Sequence, residues 1–510
     1  MRVMTGTAAV ILITSCFGFA GLSACGSDDT KPSTPVEGLF VNKCAQPRTG
    51  TDPVTSVAYP DTQGTLDDEK FFLQAWTDDL YLWYSEVPDA NPSSYPTALA
   101  YFNVLKTPKT TASGKPKDQF HFTYATADWE ALSGSGVEAG YGVEWDVVAP
   151  RPPREIIAVY TQPNSAATGA GVARGMKVLA VDGEDAVSGS DVDTLNGGLF
   201  PAGANESHTF LVQDLGANAT RTLTMMSGSV TRTPVQDVIA IDTPTGKVGY
   251  MHFTDFIATA EFEVATAVSQ LQTAGITDLV LDIRYNGGGY LDIASEVGFM
   301  IAGPNRSAGK TFEKTLFNDK HPTVDPVTGD AIAPTLFDAK TLGFSATAGQ
   351  ALPHLDLPRV YILTGSGTCS ASEAVMNALA GIDVEVIQIG TTTCGKPYGF
   401  YPQDNCGTTY FAIQFQGVND KGFGDYADGF SPGAAASGAT LRGCQVADDF
   451  THLLGDPAEA RLSAALAFRA TGTCPAATGL IARKVGGDAA ATTDGQLHRN
   501  PFRENRIMRR

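Results

Sequence analysis

A serine at the start of a helical pattern is the first group in this sequence that could act as a nucleophile. The segment Gly367–Glu373 reads G-T-C-S-A-S-E, and Ser370 falls where an apolar strand ends and a helix begins. The first backbone N–H groups of a helix have no intrahelical partner and carry a partial positive charge, which would stabilise an anion formed there. Serine is also a common N-cap residue, so its position alone does not distinguish a nucleophile from a cap.

A nucleophilic serine needs a base, and Lys396 is the candidate. It lies 26 positions after Ser370, in the loop T-T-T-C-G-K, with one helix and one strand between them. That spacing brings two adjacent strand-to-helix turns to the same edge of a sheet. A lysine acts as a base only when burial lowers its pKa from about 10.4 towards about 7–8, so we expect a closed, mostly uncharged pocket around Cys394–Tyr398. An isolated lysine, in contrast, is usually a surface residue.

Three other kinds of chemistry have less support in the sequence. Cys369 is the rival nucleophile, but a thiol enzyme would need a nearby histidine, and neither loop contains one. A lipase or esterase would carry G-x-S-x-G with a later aspartate and histidine, and Gly367–Ala371 does not match that pattern. A metal centre needs ligands at short spacing, and the sequence has no CxxC motif, no HExxH motif and no cluster among its seven histidines. We therefore expect no metal and no cofactor.

Alternating strands and helices surround the two loops, which is typical of βα units. The elements are the strand Asp278–Arg284, the helix Leu291–Ile301, the strand Pro358–Thr364, the helix Ser370–Gly381, the strand Val384–Gly390 and a further strand at Cys406–Gln416. Residues 231–475 are therefore predicted to form an α/β domain that positions both loops.

Three motifs in these elements resemble those of the C-terminal processing, or tail-specific, serine peptidases. The family's nucleophile motif, G-[ST]-x-S-A-S-E, is matched by Gly367–Glu373, and its T-x-G-K is matched by Thr393–Lys396. The family's L-D-L-R-x-N-x-G-G corresponds to Leu281–Gly289, with isoleucine in place of the second leucine. The resemblance extends from about Leu66 to residue 430, and it implies a ClpP/crotonase-like α/β catalytic domain.

By this resemblance, Ser370 is the nucleophile and Lys396 is the general base of a Ser/Lys dyad. The backbone amides of Gly288 and Ala371 would form the oxyanion hole. A donor of this kind contributes about 3–4 kcal/mol in other acyl-transfer enzymes.

The loop after Lys396 departs from the family in two ways. Phe400 occupies the position at which many relatives have a glutamine that orients the lysine, and Gln403 and Tyr398 are the nearest polar side chains. The third member of the catalytic group is therefore open. Pro397 replaces the usual glycine after the lysine and fixes the backbone φ angle there.

Residues 134–230 precede this domain and change to short alternating strands broken by glycine, proline and asparagine. The run Gly171–Gly183 resembles the PDZ pattern of a helix followed by G-D-x-I-x-x-V-N-G, with Met176 in place of the aspartate. PDZ domains add an extended peptide to a sheet edge and bind its terminal carboxylate through a glycine-rich loop. The residues implied for that loop are Tyr141, Gly142 and Val143. The alternative is a small β-sandwich without a ligand.

The N-terminus has the features of an export signal. A positive charge precedes the apolar run Ala8–Ala20, which is too short to cross a bilayer. Leu22–Cys25 resembles the bacterial lipobox, so we interpret residues 1–24 as a lipoprotein signal peptide and Cys25 as the lipidated residue. Because Gly26 follows rather than aspartate, we expect the outer membrane, with the chain in the cell envelope facing the periplasm or the surface. The alternative is a plain secretory signal.

The remaining segments differ in composition. Residues 25–60 are rich in Asp, Thr, Pro, Ser and Gly, as expected of a flexible tether. In residues 61–133, an aromatic stripe at helical spacing predicts a helix over Leu66–Glu86 within a small N-terminal helical domain. Residues 476–510 have the composition of a disordered tail. The net charge is −20 and no Lys/Arg-rich stretch precedes the last dozen residues, so the charge pattern of a nucleic-acid-binding protein is missing.

Six cysteines lie outside the signal peptide and the lipobox. An even number of cysteines in an exported chain indicates disulfides, although the sequence does not choose among the connectivities. Short loops favour Cys394 with Cys406 and Cys444 with Cys474. The placement of Cys369 and Cys394 beside the two catalytic candidates also allows a disulfide between them.

Together these features predict a serine endopeptidase that cleaves exported proteins or peptides whose C-terminus the PDZ-like domain captures. The expected partners are protein or peptide substrates and the membrane, through the lipid anchor, and not nucleic acid. The alternative is a non-catalytic lipoprotein that uses the same fold as a peptide-binding scaffold, because a fold does not guarantee activity.

Overall fold

The computed structural model describes residues 36–53 and 56–475, together with a two-residue strand at Arg506–Ile507. The predicted signal peptide, the lipidation site Cys25, the first part of the tether and nearly all of the predicted tail lie outside these residues. Within the described ranges, no helix combines the length and the apolarity that a membrane crossing requires. The export signal and the lipid anchor therefore stay predictions.

The N-terminal part of the described chain is mainly helical. Its elements are β1 (Lys43–Cys44), β2 (Thr62–Gln63), α1 (Leu66–Leu80), α2 (Ala98–Phe102), β3 (Phe122–Ala125) and α3 (Thr126–Ser135), with 3-10 turns at Val36–Leu39, Tyr84–Glu86 and Pro92–Ser94. Helix α1 begins at a capping box, in which Thr65 and Asp68 exchange side-chain-to-backbone hydrogen bonds. It ends at Leu80 because Tyr81 has extended backbone angles, so the predicted helix to Glu86 continues only as a separate 3-10 turn.

The middle part, residues 137–231, is here called the β module. Its elements are β4 (Val137–Gly140), β5 (Val143–Ala149), β6 (Glu155–Thr161), α4 (Ala166–Gly169), β7 (Lys177–Val181), β8 (Glu184–Asp185), α5 (Val192–Leu199), β9 (Ser207–Gln213), β10 (Thr220–Met226) and β11 (Gly228–Thr231). The strands of its antiparallel sheet have the order β10-β9-β7-β6-β5, with β8 beside β7. Strand β5 therefore lies at an edge of the sheet. Strands β4 and β11 pair with each other where the chain enters and leaves the module.

The rest of the chain forms an α/β domain. Its helices are α6 (Ala260–Ala274), α7 (Leu291–Ala302), α8 (Pro304–Ser307), α9 (Ala371–Gly381) and α10 (Ala460–Thr471). Its strands are β12 (Val235–Thr243), β13 (Gly246–Phe253), β14 (Asp278–Asp282), β15 (Gly289–Tyr290), β16 (Thr311–Leu316), β17 (Thr335–Leu336), β18 (Arg359–Thr364), β19 (Glu385–Gly390), β20 (Tyr398–Gly399), β21 (Gln403–Asn405), β22 (Thr408–Phe411), β23 (Phe415–Val418), β24 (Ser431–Gly433), β25 (Thr440–Gln445) and β26 (Arg506–Ile507).

A mixed seven-stranded sheet organises this domain, with the order β12-β13-β14-β18-β19-β25-β24. Strands β12 and β13 form an antiparallel hairpin, and the other neighbours run parallel. Helices α6, α7 and α9 cover one face, and α10 packs on the other. Strand β14 is buried along its whole length, which is typical of a central parallel strand. Its carboxyl end leads into the glycine loop, and that of β18 leads into the turn of Ser370.

The N-terminal helices share a hydrophobic core with the segment that follows Lys396. Trp76 and Phe102 lie in the same buried cluster as Phe400 and Phe411. Strand β3 also pairs with β22 in a three-stranded sheet, β21-β22-β3. The N-terminal part therefore forms one wall of the region around Lys396.

Three disulfides are present among the described residues, and they correct one predicted pair. The bonds join Cys44 to Cys406, Cys369 to Cys394, and Cys444 to Cys474. The prediction of Cys444 with Cys474 is confirmed, whereas that of Cys394 with Cys406 is wrong. The N-terminal segment reaches the β21–β22 turn, where the amide of Asn42 donates to Oδ1 of Asn405, and it brings Cys44 there from 362 positions away. Short loop length could not reveal that contact.

The predicted strand Cys406–Gln416 is in fact two strands, β22 and β23. After β22 the chain leaves the sheet with β3 and enters a second sheet, of order β17-β16-β23-β20. The amide of Gln414 donates to the carbonyl of Gly399 at this crossing. Both sheets bury the segment, so its apolar pattern continues across the break.

Candidate active site

Ser370 lies in a turn of unusual backbone geometry between β18 and α9. Its φ of 60° and ψ of −115° fall outside the regions that non-glycine residues usually occupy. Such angles persist mainly at functional sites, where the surrounding contacts fix them. The residue is fully buried, and its Oγ has no hydrogen-bond partner among the described residues. A buried hydroxyl without a hydrogen-bond partner is costly and calls for a functional explanation.

The carboxylate of Glu373 links the turn of Ser370 to the loop of Lys396. Its Oε2 accepts hydrogen bonds from the backbone amides of Ser370, at 3.0 Å, and Lys396, at 2.8 Å. Its Oε1 accepts from the amide of Gly395 at 2.9 Å and from the hydroxyl of Thr393. Burial raises the pKa of Glu373 above its usual range, against the lowering effect of these hydrogen bonds. One side chain therefore fixes the two predicted catalytic positions relative to each other.

A disulfide makes the same connection covalently. Cys369 immediately precedes Ser370, and Cys394 lies two positions before Lys396. The Cα atoms of the two cysteines are 5.2 Å apart. The amide of Cys394 also donates to the carbonyl of Thr368. Both cysteines are thus part of the frame of the site, and the rival interpretation of Cys369 as a thiol nucleophile does not fit a bonded sulfur.

Lys396 is fully buried, and its amine faces two aromatic rings. Its Nζ lies 4.3 Å from the ring centroid of Phe400 and 4.9 Å from that of Phe120. Phe400, at the sequence position expected of the orienting glutamine, therefore places an aromatic ring beside the amine. Tyr398, one of the polar substitutes considered above, packs edge-on against Trp83 at 4.8 Å. Lys396 is enclosed and two aromatic rings face its amine, but the carboxylate of Glu373 also lies in this region, which the sequence predicts to be mostly uncharged.

The backbone amide of Gly288, one of the two predicted oxyanion donors, already has a hydrogen-bond partner. The N–H of Gly288 donates to Oδ1 of Asn286 at 2.9 Å, and Asn286 in turn donates to the carbonyl of Phe253. The carbonyl of Gly288 accepts from the amide of Phe256. The N–H of Ala371 is the first of helix α9, where backbone amides have no intrahelical partner. One of the two predicted oxyanion donors therefore has a side chain as its partner in this structure.

A buried ionic cluster lies behind the glycine loop. Arg284 contacts Asp282, Glu459 and Asp448, and all four side chains are buried or nearly so. Although burial works in the opposite direction, the guanidinium groups of Arg461, Arg284 and Arg174 hold the pKa of Asp448 well below its usual range. The glycine loop thus begins at a buried network of ion pairs.

Arg174 connects the β module to this cluster. Its Nη2 donates to Oδ1 of Asp448 at 2.9 Å, and its Nη1 donates to the hydroxyl of Tyr285 at 2.9 Å. The hydroxyl of Tyr285 donates to the other oxygen of Asp448 at 2.6 Å. Tyr285 directly precedes Asn286, so the β module is bonded to the first residues of the glycine loop.

A cavity of about 1470 Å³ separates the β module from the α/β domain. On one side it is lined by the edge strand β5 and by Asn196 and Leu199 of α5. On the other side it is lined by Gly367 and Cys394, which are close neighbours of Ser370 and Lys396 along the chain. The cavity therefore extends from the edge strand β5 to the immediate surroundings of the two candidate catalytic residues.

The predicted peptide-binding loop lies on this cavity. Tyr141, Gly142 and Val143 all line it, between β4 and the start of β5. The hydroxyl of Tyr141 donates to the carbonyl of Gly198 in α5 at 2.9 Å, which ties the loop to the helix. Gly142 has a φ of 72°, and a Cβ atom there would approach that of Ser165 to 2.4 Å, so glycine is required.

One group of potential metal ligands occurs in the described part of the chain, and it is the frame of the site itself. Cys369, Glu373 and Cys394 place their ligating atoms within 4.8 Å of one another. The two sulfurs are joined to each other, so thiolates are not available to a metal ion in this state.

His252 is a buried titratable group close to Tyr285, which also contacts Arg174. It is fully buried, and its ring lies 5.2 Å from that of Tyr160 in the β module and 6.4 Å from that of Tyr285. Burial lowers the pKa of His252 to about 4. The imidazole is therefore neutral at physiological pH.

Sequence reasoning located the loops but missed several residues that fix them. Glu373 stood inside the quoted nucleophile motif, and its spacing of three from Ser370 was a usable signal, because it is that of a capping box. Phe120 and Arg174 gave no signal, since each reaches the site from a distant part of the chain. Asn286 stood in the glycine motif, but its bond to Gly288 depends on side-chain geometry.

The chain is similar in sequence to carboxyl-terminal-processing proteases. Residues 247–400 match the model of peptidase family S41. A carboxyl-terminal-processing protease of Picosynechococcus is 28% identical over 272 residues, which are 52% of this chain and 54% of that protein. The chloroplastic carboxyl-terminal-processing peptidase 1 of Arabidopsis thaliana is 28% identical over 243 residues, 46% of this chain and 42% of that protein. The chain thus spans about half the length of these relatives.

A solved structure from Bacteroides fragilis, named as an S41 protease, has a TM-score of 0.58 and covers 81% of this chain and 98% of its own. The sequence identity is 21%, so this likeness concerns the fold. It agrees with the α/β organisation around a mixed sheet. The resemblance to C-terminal processing serine peptidases read from the motifs is confirmed, because residues 247–400, which carry Ser370 and Lys396, match the model of peptidase family S41.

Proposed function

We propose that this chain is a serine endopeptidase in which Ser370 is the nucleophile and Lys396 is the general base. The observation that carries the proposal is the double role of Glu373, whose Oε2 accepts the backbone amides of both residues. A nucleophile and an amine without a common function would not need a shared buried carboxylate. The unusual backbone of Ser370 and its unpaired hydroxyl give further support.

The reaction follows from these positions. Ser370 Oγ attacks the peptide carbonyl while its proton passes to the neutral amine of Lys396, and the carbonyl oxygen becomes an oxyanion. The amides of Ala371 and Gly288 would donate to that oxyanion. When the C–N bond breaks, Lys396 returns the proton to the leaving amine. Water then releases the acyl group, with Lys396 accepting and returning a proton again.

The neutral amine of Lys396 depends on its surroundings. Full burial disfavours an ammonium ion, whereas the two aromatic rings attract a cation. We propose that desolvation prevails, so that activity rises with pH as the amine loses its proton.

The described state has to rearrange before it can react. Ser370 and Lys396 are both fully buried, and the amide of Gly288 is bonded to Asn286. Substrate binding would therefore have to turn the Gly288 amide away from Asn286 and open a path from the cavity to Ser370. Because Arg174 and Tyr285 join the β module to this loop, movement of the module is the natural trigger.

We further propose that the β module binds the C-terminus of the substrate in the manner of a PDZ domain. The position of β5 at the edge of its sheet, beside the cavity, supports strand addition, and the loop Tyr141–Val143 supports carboxylate binding. The test compares one peptide with a free C-terminal carboxylate and the same peptide as a C-terminal amide. The amide should have a higher KM with a similar kcat, and equal KM values would refute this part of the proposal.

Export and lipidation at Cys25 belong to the same proposal and rest on the sequence motif alone. The Cys25→Ala variant should be recovered as a soluble and active protein. Retention in the membrane after washing with carbonate would contradict the lipobox interpretation.

The decisive experiment for the activity itself compares the wild-type chain with Ser370→Ala on an unfolded protein substrate. Fragments should appear with the wild type and not with the variant. A wild-type chain that binds the substrate but produces no fragments would favour the alternative, a non-catalytic peptide-binding scaffold. That alternative has the weaker support, because a peptide-binding scaffold would not need a serine and a lysine that are fixed relative to each other.

A further inference from the structure

Two aromatic rings face the amine of Lys396, and they come from different parts of the chain. The ring centroid of Phe400, in the segment that follows Lys396, lies 4.3 Å from Nζ. The centroid of Phe120, which belongs to the N-terminal part of the chain, lies 4.9 Å from the same nitrogen. Both distances are within the range of about 6 Å over which the face of a ring attracts a cation. The amine of the candidate base therefore has two aromatic neighbours.

Other aromatic side chains fix the ring of Phe400. It packs edge-on against the rings of Phe411, at 5.1 Å, and Phe122, at 6.0 Å. Those two rings stack on each other at 4.4 Å, and their residues are opposite each other in the paired strands β22 and β3. Phe400 is fully buried. Its ring therefore has a fixed place in the core, and this place lies beside Nζ of Lys396.

A buried carboxylate fixes the backbone of Phe120. Oδ1 of Asp118 accepts the backbone amide of Phe120 at 3.0 Å, and Oδ2 accepts the hydroxyl of Tyr81 at 2.6 Å. Phe120 is buried, and it lines the cavity between the β module and the α/β domain. The same residue thus adjoins both the cavity and the amine of Lys396.

An aromatic ring is a suitable neighbour for a lysine that acts as a base. The four-carbon stem of lysine is flexible, so proton transfer requires groups that restrict the amine. A carboxylate beside the amine would hold the ammonium proton firmly, because an opposite charge raises the pKa of a lysine. A ring face attracts the ammonium ion less strongly and leaves the lone pair of the neutral amine available. Two rings can therefore restrict the amine while it still exchanges a proton near neutral pH.

We propose that Phe120 and Phe400 are positioning residues for Lys396, whose amine they hold for proton transfer through their ring faces. This inference rests on the proposed peptidase function. It assigns the third part of the catalytic group, which the sequence leaves open, to two aromatic side chains instead of one polar side chain.

The pH dependence of kcat/KM reports the contact between the rings and the amine. The rings favour the ammonium form, so replacement of one ring by leucine should lower the pKa of Lys396. The midpoint of the rise in kcat/KM should then move to lower pH by about 0.5–1 unit. The shift reports the rings, because the titratable groups around this pocket are the same in every variant: Glu373, Asp118, His121, Tyr398, Asp425 and Asp428.

The test compares Phe400→Leu and Phe120→Leu with a matched control, Phe72→Leu. Phe72 is buried in the same hydrophobic core, where its ring stacks with that of Trp76. With folding verified by thermal melting, each ring variant should show the shift to lower pH, whereas the control should lose stability and keep the wild-type midpoint. Phe400→Leu should also lower kcat about 10-fold with an unchanged KM, because Phe400 is fully buried and only the amine loses its position.

Three results would overturn the proposal: an unchanged midpoint in either folded ring variant, a midpoint that moves to higher pH, and an equal shift in the control. Titration of the amine tests the contact without any catalysis. In a Ser370→Ala background, NMR of isotope-labelled lysine should show a lower pKa for Lys396 once Phe400→Leu is added, and an equal pKa would also overturn the proposal. Loss of the peptidase proposal would appear separately, as wild-type activity that does not depend on Ser370.

Discussion

Two disulfides of similar loop length offer a matched comparison, because only one of them adjoins the candidate active site. Cys369 and Cys394 are separated by 25 positions, and Cys444 and Cys474 are separated by 30. In the chain-entropy model, closure of loops of this size stabilises the folded state by about 3.5 kcal/mol in each case. Replacement of either pair by alanine should therefore cost a similar free energy of unfolding.

The catalytic consequences should differ. The Cys369–Cys394 bond ties the residue before Ser370 to the loop of Lys396, while Cys444 lies on β25, apart from both. Glu373 would still connect the backbones of Ser370 and Lys396 through its hydrogen bonds, so we expect the two residues to become less precisely positioned while the site persists. A displacement of about 1 Å between reacting groups can cost about 100-fold in rate. We therefore expect kcat to fall about 10- to 100-fold.

The assay measures urea unfolding and kcat for both double-alanine variants under conditions in which each is folded. The Cys369/Cys394 variant should lose stability and kcat together, and the Cys444/Cys474 variant should lose stability alone. Equal kcat in the two variants would refute the idea that the disulfide positions the catalytic residues. Treatment of the wild type with a mild reductant should reproduce the first result if the Cys369–Cys394 bond is accessible.

Three further predictions concern single side chains. Glu373→Gln leaves one acceptor oxygen for four hydrogen-bond donors, so at least two buried donors lose their partners, at a cost of about 1–3 kcal/mol each. The melting temperature and kcat should therefore both fall. The control Glu385→Gln, at an exposed position, should change neither. The pKa of His252 is about 4 in the folded protein and about 6.5 in the unfolded chain, so unfolding takes up a proton between these pH values. The free energy of unfolding should therefore fall by about 3 kcal/mol as the pH drops from about 6.5 to 4. Urea titrations at pH 7 and 4.5 measure this difference, and the unfolding free energy of His252→Asn should depend less on pH than that of the wild type. Arg174→Ala should lose about 3–5 kcal/mol of unfolding free energy because it leaves the buried Asp448 short of a partner, while Lys177→Ala, which removes an exposed amine from its pair with Glu155, should lose less than about 1 kcal/mol.

The elements that carry the candidate site could be predicted because their signals are local. The helix predicted at Leu291–Ile301 is α7, Leu291–Ala302, and the one predicted at Ser370–Gly381 is α9, Ala371–Gly381. Apolar periodicity and the glycine turns define such elements over a dozen residues. The parallel order of the strands then brings the two loops to one edge of the sheet.

The contacts that frame the site could not be predicted, because they join distant parts of the chain. Cys44 meets Cys406 across 362 positions, and Phe120 reaches Lys396 from the N-terminal part. The apolar pattern of the sequence indicates that an aromatic residue is buried. It does not indicate which side chain that residue will contact. The hydrogen bond from the Gly288 amide to Asn286 could not be predicted either, because it depends on the rotamer of the asparagine side chain.

The central claim is that the amine of Lys396 accepts the proton of Ser370, and the most direct measurement is the kcat/KM of Lys396→Arg beside the wild type. Arginine keeps the length and positive charge of the side chain but does not release its proton. With the fold verified by thermal melting, the variant should have no activity above that of Ser370→Ala at any pH, whereas wild-type activity should rise with pH. Substantial hydrolysis by Lys396→Arg would contradict the account and remove lysine from the role of base.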